Sequence, residues 1–201
     1  MQPVDAGVAS RARKPCSGRQ VGARPDREIA LTQDRILGVV LAGGQSSRFG
    51  SDKAQALFGD RPLAHHAGNL LRPYVADVVI AGVGGTIVDL PEPGLGPLGG
   101  IAGALDHAAT LGFTSVITIA CDMPVLPDGL LAALARRAPA YCSDAPVLGH
   151  WQAAFAAHLL AHIQRTPRRS VRGWAEAIGA LPITAAGPVP NVNTPADMAA
   201  L

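Results

Sequence analysis

The apolar run Ile36-Leu-Gly-Val-Val-Leu41 empties directly into Ala42-Gly-Gly-Gln-Ser-Ser-Arg-Phe-Gly-Ser-Asp-Lys53, and this junction constrains the fold more than any other stretch. A short, continuous apolar run bounded by turn-forming residues reads as a buried strand. The loop behind it is rich in glycine and serine and carries an arginine and a lysine, which suits a nucleotide. Gly43, Gly44 and Gly50 have no Cβ, so backbone N–H groups can approach phosphates or a base edge closely. Arg48 adds a cationic fork and Lys53 a point charge for a polyphosphate. The spacing is neither that of the G-x-x-x-x-G-K-[ST] phosphate loop nor that of the G-x-G-x-x-G fingerprint. The plainer reading is a Gly/Ser turn between a strand and a helix with two solvated cations. Its position at the C-terminal end of a first strand, where open α/β sheets take ligands, favours the nucleotide.

From Ile36 onward, short apolar runs alternate with helical patterns. Strands are expected at Ile36–Leu41, Ala76–Ala81 and Ser115–Ala120, with weaker candidates at Pro146–Leu148 and Leu181–Thr184. Helices are expected over Pro62 to Leu71, Leu98 to Leu111, Pro127 to Arg137 and Phe155 to Gln164, from apolar residues at helical spacing such as Leu63, Ala67, Leu70 and Leu71. Such alternation implies an α/β fold with a three-layer, mostly parallel sheet and right-handed crossovers.

The 201 residues suffice for one domain with a sizeable core, placed at 35–201. Residues 1–34 are rich in Arg, Gly, Pro and Gln without periodicity and read as a disordered tail, a basic interaction arm being the functional alternative. A hydrophobic content of 48% reads as a soluble protein, and a formal net charge of +2 gives no footprint for nucleic acid or an anionic membrane. No apolar run approaches the roughly 20 residues that span a bilayer. Cys16, Cys121 and Cys142 have no metal-ligand spacing, and their odd count argues against a disulfide scaffold, so the cytoplasm is the expected compartment.

Three further segments carry chemistry. Asp122 follows the strand Ser115–Ala120, and a carboxylate at such a strand tip is placed to hold Mg²⁺ or to cap the next turn. Gly96-Pro-Leu-Gly-Gly-Ile101 opens a helix with exposed N–H groups. In Asn191-Val-Asn-Thr-Pro-Ala-Asp197, Thr194, Pro195 and Asp197 form a capping-box variant, which leaves Asn191 and Asn193 in need of another reason. The scattered histidines 65, 66, 107, 158 and 162 read as surface or satisfied core residues.

The loop from Leu41 to Lys53 resembles the signature L-A-G-G-x-S-x-R-x-G-x-D-K of the nucleotidyltransferases that make nucleotide-linked molybdopterin, above all the molybdenum cofactor guanylyltransferase family. Sugar-nucleotide pyrophosphorylases share the opening but usually end in Pro-Lys, and cytidylyl relatives usually read L-A-A-G. Gly43 and Asp52-Lys53 therefore favour the guanylyl branch, with Phe49 where the family mostly has Met. The segment from Asn191 to Asp197 resembles the family's N-x-N-T-P-x-D ending, where cytidylyl relatives often show Asp. Asp122-Met-Pro124 resembles its D-x-P element, and Gly96 to Ile101 its G-P-L-x-G-I turn.

The resemblance implies a nucleotide-diphospho-sugar-transferase-like, Rossmann-like fold. It assigns nucleotide contacts to Leu41, Ala42, Gly43, Gly44, Lys53, Asp89, Gly96, Pro97 and Asp122, and catalysis to Lys53, Arg48 and Asp122. Mg²⁺ falls to Asp122 and Asn193. Acceptor binding falls to Gln152 (in His150-Trp-Gln-Ala153, where the family has Arg-x-Gln-Pro), to the pair Arg168 and Arg169, for which a solvated helix start is the alternative, and to Asn191. The chain departs from the family after the second strand, offering Ala81-Gly-Val-Gly-Gly85 where an Asn is frequent. The implied reaction joins GTP to molybdenum-bound molybdopterin, giving the guanine dinucleotide cofactor and pyrophosphate, with transient contacts to cofactor-synthesis proteins or molybdoenzymes. A phosphate monoester acceptor is mainly ionised at neutral pH, so no general base is needed. What must be supplied is in-line positioning of two anions and stabilisation of the leaving pyrophosphate. Transfer of CMP, another phosphorylated acceptor, and a non-catalytic nucleotide- or cofactor-binding accessory protein stay open as alternatives.

Overall fold

The strand–helix alternation resolves into a six-stranded sheet between two helical layers. The computed structural model describes residues 35–43, 53–82, 84–166 and 169–199. Its strands are β1 (Ile36–Leu41), a small hairpin of β2 (Leu57–Phe58) and β3 (Arg61–Pro62), β4 (Asp77–Ala81), β5 (Ser115–Ala120), β6 (Ala140–Cys142), β7 (Gly149–Gln152) and β8 (Leu181–Ile183). The helices are α1 (Leu63–Leu71), α2 (Pro97–Thr110), α3 (Leu130–Ala135), α4 (Ala156–Arg165), α5 (Val171–Ala177) and α6 (Pro195–Ala199).

The main sheet runs β4-β1-β5-β7-β6-β8. β1 pairs in parallel with both β4 and β5, and β6 pairs in parallel with β8. β7 alone is antiparallel to its neighbours, so the sheet is mixed but mostly parallel. Alternation along β1 explains the three layers. Leu37, Val39 and Leu41 pack with α2, α4 and α5 on one face, while Ile36 and Val40 pack with α1 and α3 on the other. The chain moves one way across the sheet through α1 (β1 to β4) and back through α2 (β4 to β5). A single crossover hand places these two helices on opposite faces, as seen.

Three local expectations are corrected. Pro146–Leu148 is not a strand but the turn joining β6 to β7, with Leu148 N–H donating to the Ala145 carbonyl (2.9 Å). β7 escaped the pattern because Gly149 lies under the ring of Trp151 and His150 is a buried polar residue. The helix expected from Pro127 begins only at Leu130, because Gly129 takes a left-handed conformation (φ 76°). α5 carries Gly173 in its interior, which conceals its period; Ser170 Oγ caps it by accepting the Gly173 N–H (2.9 Å). The segment ending in Arg169-Ser170 is therefore a helix start.

Candidate active site

Parallel strands β4, β1 and β5 deliver their C-terminal ends to one edge, and the chain segments leaving them are tied together by backbone bonds. Ala42 N–H donates to the Ala81 carbonyl (2.7 Å), and Cys121 N–H to that of Leu41 (3.1 Å). Leu41 and Ala42 are buried, whereas Gly43 is exposed at the mouth. Gly82 crosses directly beneath it at φ 108°; a Cβ there would stand 2.8 Å from the Gly43 nitrogen. No side chain fits at that point without displacing the loop.

Asp89 reaches the same mouth. A Cβ placed on Gly43 would lie 3.9 Å from Asp89 Oδ2, and one on Gly99 would press the Asp89 Cβ and Cγ at 3.2 and 3.4 Å. Two glycines thus make room for this carboxylate between the loop and the first turn of α2, and the Leu90 N–H fixes its segment on the Gly99 carbonyl (3.1 Å). Burial raises the Asp89 pKa above the usual carboxylate range, partly opposed by a hydrogen bond from the Gly94 backbone N–H. A carboxylate desolvated in this way gains from an N–H or O–H donor on a ligand. Gly96 precedes α2 at φ 66° with Pro97 at its first position, so the helix opens with its exposed end toward the same edge.

Asp122 leaves β5 beside Leu41, and its backbone carbonyl accepts the Val192 N–H (2.9 Å). Val192 is fully buried while Asn191 and Asn193 on either side are exposed, so the two asparagines face away from the core next to Asp122. The capping box expected behind them is present. Asp197 Oδ2 accepts from the backbone N–H of Asn193 (2.7 Å) and of Thr194 (2.8 Å), and Asp197 N–H donates to Thr194 Oγ1 (3.2 Å). Among the described residues there is no cluster of three His, Cys, Asp or Glu side chains able to hold a metal. The donor set at Asp122 is instead one carboxylate with neighbouring amide groups, which fits Mg²⁺ completed by substrate phosphate oxygens.

The remaining expected site residues divide. Lys53 opens a short 3₁₀ turn, Lys53–Gln55, at the end of the loop. Gly44, Arg48 and Arg168 lie outside the described residues, and Arg169 is exposed just before α5. Gln152 is not at this edge. It pairs with Ser115, at the start of β5, and its Nε2 donates to the Ala138 carbonyl (3.2 Å). Because β7 runs antiparallel, a residue expected beside the acceptor is carried to the far end of the sheet. His150 likewise turns inward: Nδ1–H donates to the Leu134 carbonyl (2.9 Å), Nε2 accepts from Ser115 Oγ (2.8 Å), and burial lowers its pKa. Ser143 and Arg172 meet at the end of β6, where Arg172 donates to the Ser143 carbonyl.

A glycine-lined loop mouth, a helix opening and two carboxylates at the carboxyl edge of a mostly parallel sheet define a nucleotidyltransferase of the Rossmann-like class. Residues 38–186 match the MobA-like NTP transferase domain. The molybdenum cofactor guanylyltransferase of Rhodobacter capsulatus is 34% identical over 179 residues, covering 82% of this chain and 94% of that protein. The chain belongs to the molybdenum cofactor guanylyltransferase family. The fold is shared with molybdopterin-guanine dinucleotide biosynthesis protein A from Archaeoglobus fulgidus, at TM-score 0.61 and 20% identity over 82% of this chain and 95% of that one. It is also shared with 2-C-methyl-D-erythritol 4-phosphate cytidylyltransferase from Thermus thermophilus, at TM-score 0.58 and 17% identity over 83% and 96%. The fold alone therefore does not select the base.

Proposed function

We propose that this chain transfers GMP from GTP to molybdenum-bound molybdopterin, releasing pyrophosphate. The observation that carries the reading is the backbone bond from Val192 to Asp122, which brings the Asn-Val-Asn element onto the strand end bearing the carboxylate. In this reading the nucleotide lies across Leu41, Ala42, Gly43 and Gly44, beside Asp89, Gly96 and Pro97. Asp89 accepts a donor from the base or ribose. Asp122 holds Mg²⁺ together with Asn193, Asn191 being the alternative ligand, and the ion supplies charge compensation as pyrophosphate leaves. Lys53 and Arg48 neutralise the phosphates of GTP. Arg168 and Arg169 serve the acceptor, whose phosphate is already an anionic nucleophile.

The test is pyrophosphate release from GTP and from CTP, each with Mg²⁺ and molybdopterin. Release with GTP well above that with CTP is expected. A preference for CTP would overturn the base assignment, and release with neither would favour a non-catalytic binding protein. Among the described residues no helix is long and apolar enough to cross a membrane.

A further inference from the structure

The half of the edge beyond Asp122 has two walls of different build. Neighbouring strands lie about 4.8 Å apart, so β6, two strands from β5, stands about 10 Å away. On the α3 side the chain leaving β8 doubles back over the edge. Ala185 N–H donates to Asp144 Oδ2 (3.4 Å), Ala185 and Val189 pack into the α1/α3 core, and Val192 meets Asp122. On the opposite side α5 begins. Val171 and Trp174 bury its inner face in the α2/α4/α5 core, leaving Arg172 exposed. Arg172 then reaches over the end of β6 to the Ser143 carbonyl, through Nη2. Ser143 is itself fixed, its N–H donating to the Ile183 carbonyl of β8 (2.9 Å).

We propose that Arg172 recognises the acceptor, donating to its metal-dithiolene group rather than to the reacting phosphate, at the edge between this returning segment and α5. The inference rests on the function proposed above and names a residue that reading does not contain. The acceptor is anionic at its phosphate and again at its metal-dithiolene group, and it must be held against a polyphosphate. In the proposed function Asp122 serves the reacting phosphate, and Arg172 supplies a separate cation about 10 Å away, two strand spacings along the edge. Arg172 is suited because one nitrogen is already anchored on Ser143, so little rotamer freedom is lost on binding, while Nε and Nη1 keep donors for oxygen or sulfur acceptors. Arg169 shares the wall and adds charge.

The experiment compares wild type, Arg172→Ala and Arg172→Lys. It measures KM for acceptor and for GTP in turnover, and separately the affinity for metal-free molybdopterin by pterin fluorescence without nucleotide. Loss of a charge-assisted hydrogen bond should raise the acceptor KM and Kd roughly 10-fold or more in Arg172→Ala. The GTP KM should move far less, and Arg172→Lys should fall between the two because charge survives without the fork. Acceptor KM and Kd within twofold of wild type would overturn the inference. So would a lowered Tm with both KM values raised together, which marks a latch between α5 and β6. Absence of turnover in wild type would remove the proposed function instead. The fluorescence comparison then still decides, a 10-fold weaker Arg172→Ala supporting recognition and equal affinities overturning it.

Discussion

At its C-terminal end β5 runs into Cys121-Asp122, where neighbouring chain segments are joined through backbone groups and Gly43, Asn191 and Asn193 are exposed. At its N-terminal end β5 starts with Ser115, whose hydroxyl meets a buried His150, while Gln152 turns to the Ala138 carbonyl and Thr114 Oγ1 to that of Arg35 (3.1 Å). Farther along the strand Thr118 accepts from Trp151 Nε1 (2.9 Å) and donates to the Val147 carbonyl (2.7 Å). Both ends are rich in polar residues. The difference is that the N-terminal set is bonded around a buried histidine, while at the C-terminal end backbone bonds tie strand exits together and leave Asn191 and Asn193 exposed. Polar residue types at a strand end therefore do not by themselves mark a site; the direction of the strand and the source of their partners do.

The largest effect that could break this contrast is expected at Asp122. Asp122→Ala should lower Mg²⁺-dependent pyrophosphate release by roughly 100-fold or more, as for loss of a central electrostatic group. The Val192 bond to the backbone carbonyl survives the substitution, so a Tm measured alongside separates loss of the carboxylate from loss of the fold. In the same titration Asn193→Ala should raise the Mg²⁺ midpoint. A lower Tm with an unchanged midpoint would assign Asn193 to bracing the turn before α6.

Next comes Gly82→Ala. Its positive φ and the approach to Gly43 should cost about 1–3 kcal/mol of stability and weaken GTP binding, measured by denaturant melts and by calorimetry. Unaltered GTP affinity would show that the strand-end crossing does not shape the mouth.

His150→Gln tests the opposite end and should leave GTP and acceptor KM near wild type while costing about 1–3 kcal/mol, since buried partners lose their hydrogen bonds. The pH dependence follows from the lowered pKa. The unfolded chain protonates His150 below about pH 6.5 whereas the folded protein resists, so stability falls as pH drops through that point. The variant should show a shallower acid slope in urea melts between about pH 7 and 5, and an unchanged slope would place the acid sensitivity elsewhere.

The smallest effect belongs to Gln152→Ala. Its exposed side chain makes one hydrogen bond at the far edge, so stability should change by about 0.5 kcal/mol or less and neither KM should move twofold. A large rise in acceptor KM would erase the distinction between the two ends.

Much of the molecule was legible locally. β1 and its parallel neighbours β4 and β5, the helices α1, α2 and α4, and the Thr194-Pro195-Asp197 cap depend on patterns within a few residues, and such patterns express backbone and burial preferences that act at short range. The tertiary structure alone decided the rest. The reversal of β7 moved Gln152 and His150 away from the expected acceptor side, because pairing direction is set by partners distant in sequence. The seating of Asp89 against Gly43 and Gly99, and the return of Val192 to Asp122, join segments that only the packed sheet brings together. Residue types can announce a chemistry from the chain, but which of them share one edge is determined by long-range packing.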